Sequence, residues 1–233
     1  MAAGQPIQPI AGRRISAVDL VLREIRQSII SGALAPGEPF VVQSLTEKLG
    51  VSHVPVREAL RQLEAQGLIM LSPSRSAVVA PLDPKSLRGI YRLRQWIEPE
   101  LAALSAAEHG DASLERLAAV LEAMFRQPMA EDSWDMHREF HRLLVAPAAG
   151  EWDLRTLDGL WYASERFTRL LLDHVAWDEA SVGRRRDAHA ELLDAARARD
   201  AARLRDALRD HLAENERTAA ARLAAIPNQT AGH

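Results

Sequence analysis

A chain of 233 residues allows one large domain or two modest ones, and a hydrophobic fraction of 47% supplies a sizeable core. The absence of cysteine excludes disulfides and thiolate metal sites. There is no signal-peptide pattern and no apolar stretch near the roughly 20 residues a membrane span needs, so a soluble, cytoplasmic chain is the expectation. The net charge of −3 is unevenly spread: residues 1–80 hold 8 Lys+Arg against 6 Asp+Glu, and the remainder 21 against 26. A mildly basic head on an acidic body fits a chain in which only the head meets phosphate.

Residues 1–14, with two prolines, two glycines and no periodicity, read as a tail. Ser16 opens a helical pattern with Val18, Val21, Leu22, Ile25, Ile29 and Ile30 on one face, and Gly32 ends it. Ala35–Pro39 reads as a turn. A short helix over Val42–Leu49 stops at Gly50, a natural C-cap residue. Ser52 is a candidate N-cap for a helix from His53 or Val54 to Gln66, with Pro55 tolerated in the first turn. Leu68–Leu71 and Ala77–Ala80 read as two strands of a hairpin.

Pro81–Pro84 marks a boundary. Beyond it the pattern is helical throughout, over roughly 84–109, 112–127, 131–146, 152–174, 177–199 and 200–223, with a kink or break expected at Pro99. The expected fold is mainly α: a winged helix-turn-helix over 15–81, then an all-α antiparallel helical bundle over 82–223, with tails at 1–14 and 224–233.

In such a head the second helix of the pair enters the major groove, and its N-terminal residues reach bases and phosphates. Ser52 and His53 stand at that entrance. Arg57 and Arg61 share one face, while Leu60 and Leu63 fall on the other. Arg57 suits guanine or phosphate, and Arg75 stands at the hairpin tip as a wing contact. Charge alone equally allows a solvated face in which Arg57 and Arg61 pair with Glu58 and Glu64.

The stretch Ser31-Gly32-Ala33-Leu34-Ala35-Pro36-Gly37-Glu38, followed by Leu45 through Glu64 (LTEKLGVSHVPVREALRQLE), closely resembles the GntR family of bacterial regulators, and Gly67-Leu68-Ile69 with the hairpin agrees. The resemblance covers about residues 16–81. It implies that Ser52, His53, Val54, Pro55 and Arg57, with the wing tip, approach operator DNA. Three departures bear on base preference: the family usually has Arg at position 53, Thr at 54 and Gly at 76, where this chain has His53, Val54 and Ser76.

In the body, His137 and His141 are four apart, so a helix puts both imidazoles on one face, able to share a metal. His189 and His211 lie on later helices, and four imidazoles from three helices can close a site in a bundle. The same spacing is also met in surface or hydrogen-bonded core histidines. His109, before Gly110, reads as a cation at a helix C-terminus. Trp96, Trp134 and Trp161 are assigned to core or interface, with a pocket-lining role as the alternative.

The body resembles the FCD ligand-sensing domain of the FadR subfamily, through residues 87–98 (LRGIYRLRQWIE), His137-Arg138-Glu139-Phe140-His141, Asp187-Ala188-His189 and Arg209-Asp210-His211-Leu212. That resemblance implies a divalent metal on His137, His141, His189 and His211, with His137 where the family usually has Asp. It also implies Arg94 as a contact for a small carboxylate effector. An Arg94–Glu98 pair on a wet helix face is the alternative. All-imidazole ligation favours zinc, with nickel possible, and predicts loss of metal below about pH 6. The implied function is a homodimeric repressor of double-stranded operator DNA, released by the effector, and not an enzyme. A metal-dependent enzyme on the bundle and a constitutive DNA-binding protein with a structural body are the alternatives.

Overall fold

The computed structural model describes residues 16–72, 76–126, 131–172 and 179–225. The proposed tail 1–14, Arg75 and the end of the second tail lie outside these residues. No described helix is long and apolar enough to cross a membrane.

Helix α1 (Ala17–Ile30) begins at Ser16 with a capping box: the Asp19 amide donates to Ser16 Oγ at 3.0 Å, and the Ser16 amide donates to Asp19 Oδ2 at 3.2 Å. It buries Val21, Ile25, Ile29 and Ile30, the face its spacing predicts. Helix α2 (Val42–Leu49) ends at Gly50, whose φ of +63° places it in the left-handed region that glycine enters without a Cβ clash. Helix α3 (His53–Ala65) follows, with Ser52 as N-cap. Leu60 and Leu63 are buried against α1 and the sheet, and Arg57 and Arg61 are exposed.

Strands β2 (Ile69–Leu71) and β3 (Ser76–Val79) form the expected hairpin. The structure adds a strand that the turn reading of Ala35–Pro39 missed. Strand β1 (Pro39–Val41) pairs antiparallel with β3, Phe40 opposite Ala77, in the order β1-β3-β2. Three residues offer no alternation to read, and Pro39 is tolerated because β1 is an edge strand.

The body consists of α4 (Pro84–Ala106), α5 (Asp111–Arg126), α6 (Glu131–Val145), α7 (Glu151–Leu172), α8 (Glu179–Arg197) and α9 (Ala201–Ala225). Pro84 opens α4 behind the Asp83 N-cap, whose carboxylate accepts from the Ser86 amide at 2.7 Å. Of the kink or break expected at Pro99, the break does not occur: α4 runs through it. Pro99 is buried where α4 packs along α9 and α7, and that packing holds the helix across one missing N–H donor. Phe140, Leu144, Leu157, Trp161, Leu192 and Leu208 lie in the main core. A smaller cluster, Leu87, Tyr91, Phe167, Leu171 and Ala219, sits beneath the segment that enters from the head.

His109 is not the helix-end cation its position suggests. It is buried, its Nε2 donates to the Leu144 carbonyl at 3.2 Å, and its Nδ1 accepts from Ser113 Oγ at 2.9 Å. Burial lowers its pKa, which keeps the ring neutral and makes it a tie between helices.

Candidate metal centre and DNA-facing helix

One helix supplies two of the four imidazoles because His137 and His141 are one turn apart on α6. His189 comes from α8 and His211 from α9. One nitrogen from each ring lies within 4.8 Å of the others. Ring centroids are 4.8 Å apart for His137–His141, 5.1 Å for His137–His189 and 4.5 Å for His189–His211. His141, His189 and His211 are buried and His137 is half-buried.

The second nitrogens explain how the rings are aimed. His141 Nδ1 donates to Glu98 Oε2 at 3.1 Å, and His189 Nδ1 donates to the Arg185 carbonyl at 2.7 Å. Carboxylate and carbonyl oxygens only accept, so both protons sit on Nδ1 and both lone pairs on Nε2. Those two Nε2 atoms are buried with no partner among the described residues. An orphaned buried acceptor is costly, and a metal ion is a partner both atoms can share. His211 Nε2 takes a hydrogen bond from the Asn215 amide at 3.0 Å, so a metal on that lone pair displaces Asn215.

Burial comes first among the causes that depress all four pKa values. It and the neighbouring rings hold His137 and His211 well below the ordinary range and bring His189 to about 3. For His141 burial outweighs the opposing pull of Glu98. Neutral rings are the metal-binding form, so proton competition sets in below the pH 6 that ordinary imidazoles suggest.

The Arg94–Glu98 pair forms, as the alternative to an effector contact has it, but it is buried rather than on a wet face, with both side chains at most 3% exposed. Arg94 Nε and Nη2 donate to the two Glu98 oxygens at 2.5 and 3.3 Å, and Nη1 donates to Ser164 Oγ at 2.9 Å. Burial alone raises the Glu98 pKa, but Arg94 and the His141 hydrogen bond outweigh it and hold the carboxyl at about 2. Glu98 is therefore a standing anion behind His141, a role the spacing did not reveal. Two of the five Arg94 N–H bonds are committed to Glu98 and a third to Ser164, which leaves Arg94 two for a ligand.

The four histidines stand in the wall of a cavity of about 380 Å³. Trp134 and Trp161 line it as well as being buried, so for these two the core assignment and the pocket-lining alternative both hold. Trp161 Nε1 is a buried donor with no partner among the described residues. Lining arginines (Arg94, Arg138, Arg184, Arg185 and Arg222) outnumber the lining carboxylates, Glu165 and Glu214. Such a wall favours an anion.

In the head, Ser52, His53, Val54 and Arg57 are exposed around the N-terminal end of α3, with Val54 at 76%. Pro55 is the exception: it is buried, so its side chain starts the helix and presents no outer surface. Arg61 faces outward with Glu58 at 3.8 Å, a loose exposed pair that costs little to open. Arg75 and the wing tip lie outside the described residues.

Comparisons with known proteins agree with this layout. The family model for bacterial regulatory proteins of the gntR family matches residues 18–79, and the FCD domain model matches 89–214. The HTH-type transcriptional regulator BphR of Paraburkholderia xenovorans (strain LB400) is 30% identical over 214 residues, 88% of this chain and 85% of that protein. The transcriptional repressor GlaR of Escherichia coli (strain K12) is 28% identical over 82% of this chain and 90% of its own length. Among solved structures, E. coli McbR/YncC superposes with a TM-score of 0.76 at 22% identity, over 90% of this chain and 100% of that one, a likeness of fold. A GntR family member from Pseudomonas syringae pv. tomato str. DC3000 gives 0.51 at 30% identity over 90% and 88%. These relatives are transcription regulators, not enzymes, which decides against the catalytic alternative. With head and body matched in order along one chain, this protein belongs to the GntR family of bacterial transcription regulators, in the branch that carries an FCD domain.

Proposed function

We propose that this regulator is a cytoplasmic homodimeric repressor whose helical domain, residues 82–223, holds a transition metal, zinc before nickel, together with a small carboxylate that releases the DNA. The observation that carries this reading is the pair of buried Nε2 atoms of His141 and His189, without a partner among the described residues and converging with His137 and His211 on one cavity wall. Four neutral imidazoles bring no charge to a divalent cation, so an anion completes the site electrostatically. The arginine-rich wall, the Trp161 Nε1–H that has no partner among the described residues and the N–H bonds left on Arg94 suit a carboxylate there. His137, His141, His189 and His211 would hold the metal, which would supply an open coordination position for that carboxylate, while the side chains around it bind and orient the acid.

The DNA-binding head, residues 15–81, addresses the operator through Ser52, His53, Val54, Arg57 and Arg61, with Arg75 at the wing. Two copies are expected because a two-fold operator mirrors a two-fold protein. Leu93, Trp96 and Leu104 form an exposed apolar stripe along α4, at 40, 65 and 63% exposure, which supports self-association. The test is a thermal-shift screen of zinc-loaded protein against a panel of small carboxylic acids. Each stabilising acid is then titrated into a complex with a duplex selected in vitro. The expected result is an acid that raises the melting temperature and weakens DNA binding, as linkage requires. If acids stabilise the protein and leave DNA affinity unchanged, the body is not the sensor.

A further inference from the structure

Helix α7 faces two ways. Trp161, Ser164 and Glu165 line the cavity, and Tyr162, Arg166 and Leu170 meet the head or the segment leaving it. Arg166 is 3% exposed and spans three carbonyls. Its Nη1 donates to Ala80 at 2.9 Å and Gly67 at 3.3 Å, and its Nη2 donates to Pro81 at 3.4 Å. Gly67 directly follows Gln66, the C-cap of α3. Tyr162 holds the guanidinium of Arg26, from α1, 4.3 Å from its ring centroid, and Arg26 Nη2 donates to Gln66 Oε1 at 2.9 Å. The same ring holds a second guanidinium at 4.3 Å, that of Arg138. Arg138 follows His137 on α6, lines the cavity, and is paired with Glu165 at 2.7 Å.

We propose that Tyr162 and Arg166 are positioning residues for the DNA-facing helix, and that Tyr162 passes the state of the imidazole centre to it through Arg138 on one side and Arg26 on the other. This rests on the metal reading above. Two of the four ligands, His137 and His141, belong to α6, so drawing the imidazoles onto an ion moves or stiffens α6 against α8 and α9. Arg138 travels with α6. A cation stacked on a ring keeps its attraction only over a short range, and close-packed interiors pass small shifts on rather than absorbing them. Arg26 shares the ring and holds Gln66, and Arg166 fixes the neighbouring carbonyls as a fulcrum. Both grips act at the C-terminal end of α3, while the exposed entrance residues Ser52, His53, Val54 and Arg57 stand at its other end. A helix of 13 residues is about 20 Å long, so a small rotation at Gln66 becomes a larger displacement at the DNA-facing end.

The test uses the full chain with zinc alone as the probe, comparing wild type, Tyr162→Phe and Tyr162→Leu. Zinc affinity is measured by competition with a chromophoric chelator, and amide hydrogen exchange is followed in peptides spanning 62–71 with and without zinc. Phe keeps a ring face for both guanidiniums and Leu does not. In wild type and Tyr162→Phe, zinc should alter exchange at 62–71 by about fivefold or more. Tyr162→Leu should bind zinc as tightly as wild type and lose most of that response. The relay is overturned if Tyr162→Leu retains the full response, if Phe loses as much as Leu, or if zinc binds wild type without changing 62–71. In those cases the metal centre stands. Failure of wild type to bind zinc removes the centre and the relay together.

Discussion

Arg57 and Glu98 show how differently two charged residues can be used. Arg57 is exposed at the entrance of α3, with Val56 and Leu60 beside it buried in the core, so its replacement leaves the packing intact. Arg57→Ala should weaken binding to the selected duplex by about 1–3 kcal/mol, with a melting temperature near that of wild type, in a salt-controlled fluorescence titration. Unchanged DNA affinity at physiological salt would mean that this face of α3 is not the one that meets DNA. Glu98 is fully buried and acts through His141. Glu98→Gln should lower zinc affinity about 10–100-fold, because an amide no longer supplies the anion that fixes the His141 tautomer and raises its basicity. Chelator competition reads this directly, and an affinity equal to wild type would make the Glu98–His141 bond incidental.

At the scale of the element, helix ends carry much of the information. Gly50 adopts φ +63° at the end of α2, with open space where a Cβ would stand. Gly50→Ala should therefore cost about 1–2 kcal/mol from the backbone alone, read as a lower urea midpoint with an unchanged slope. A loss near zero would show that the turn relaxes out of the left-handed region. Such ends were legible in the sequence: Ser16, Gly50 and Pro84 each mark a boundary through local chemistry, Ser52 stands at the N-cap of α3 without a side-chain capping bond, and the apolar face of α1 follows from its spacing. Strand β1 was not legible, because its existence depends on β3, far away along the chain. Pro99 does not break α4 for a related reason, since long-range packing of the helix outweighs one missing donor. The same division runs through the site. The His137–His141 spacing is local and readable. Glu98 behind His141, the buried rather than solvated Arg94, and Trp161 on the cavity wall are consequences of helices meeting.

At the scale of the whole molecule, the proposed coupling of the helical body to the DNA-facing head turns on the state of one buried cluster of histidines. In the metal-free protein the four rings have depressed pKa values, His189 as low as about 3. The unfolded chain takes up protons near the ordinary imidazole value while the folded chain does not. Apo stability should therefore be fully present above about pH 6.5 and fall as pH drops toward the folded values. Urea titrations of the chelated protein between neutral and mildly acid pH read this slope, and a flat profile would mean the rings are solvated in the absence of metal. Metal content tests the central claim most directly. Protein expressed without a polyhistidine tag should carry, after exposure to zinc and extensive dialysis, about one equivalent of transition metal per chain by elemental analysis. His189→Ala should carry far less, since the site loses a ligand that the rest of α8 cannot replace. Less than about a tenth of an equivalent in the wild type, or equal content in both proteins, would contradict the four-histidine centre.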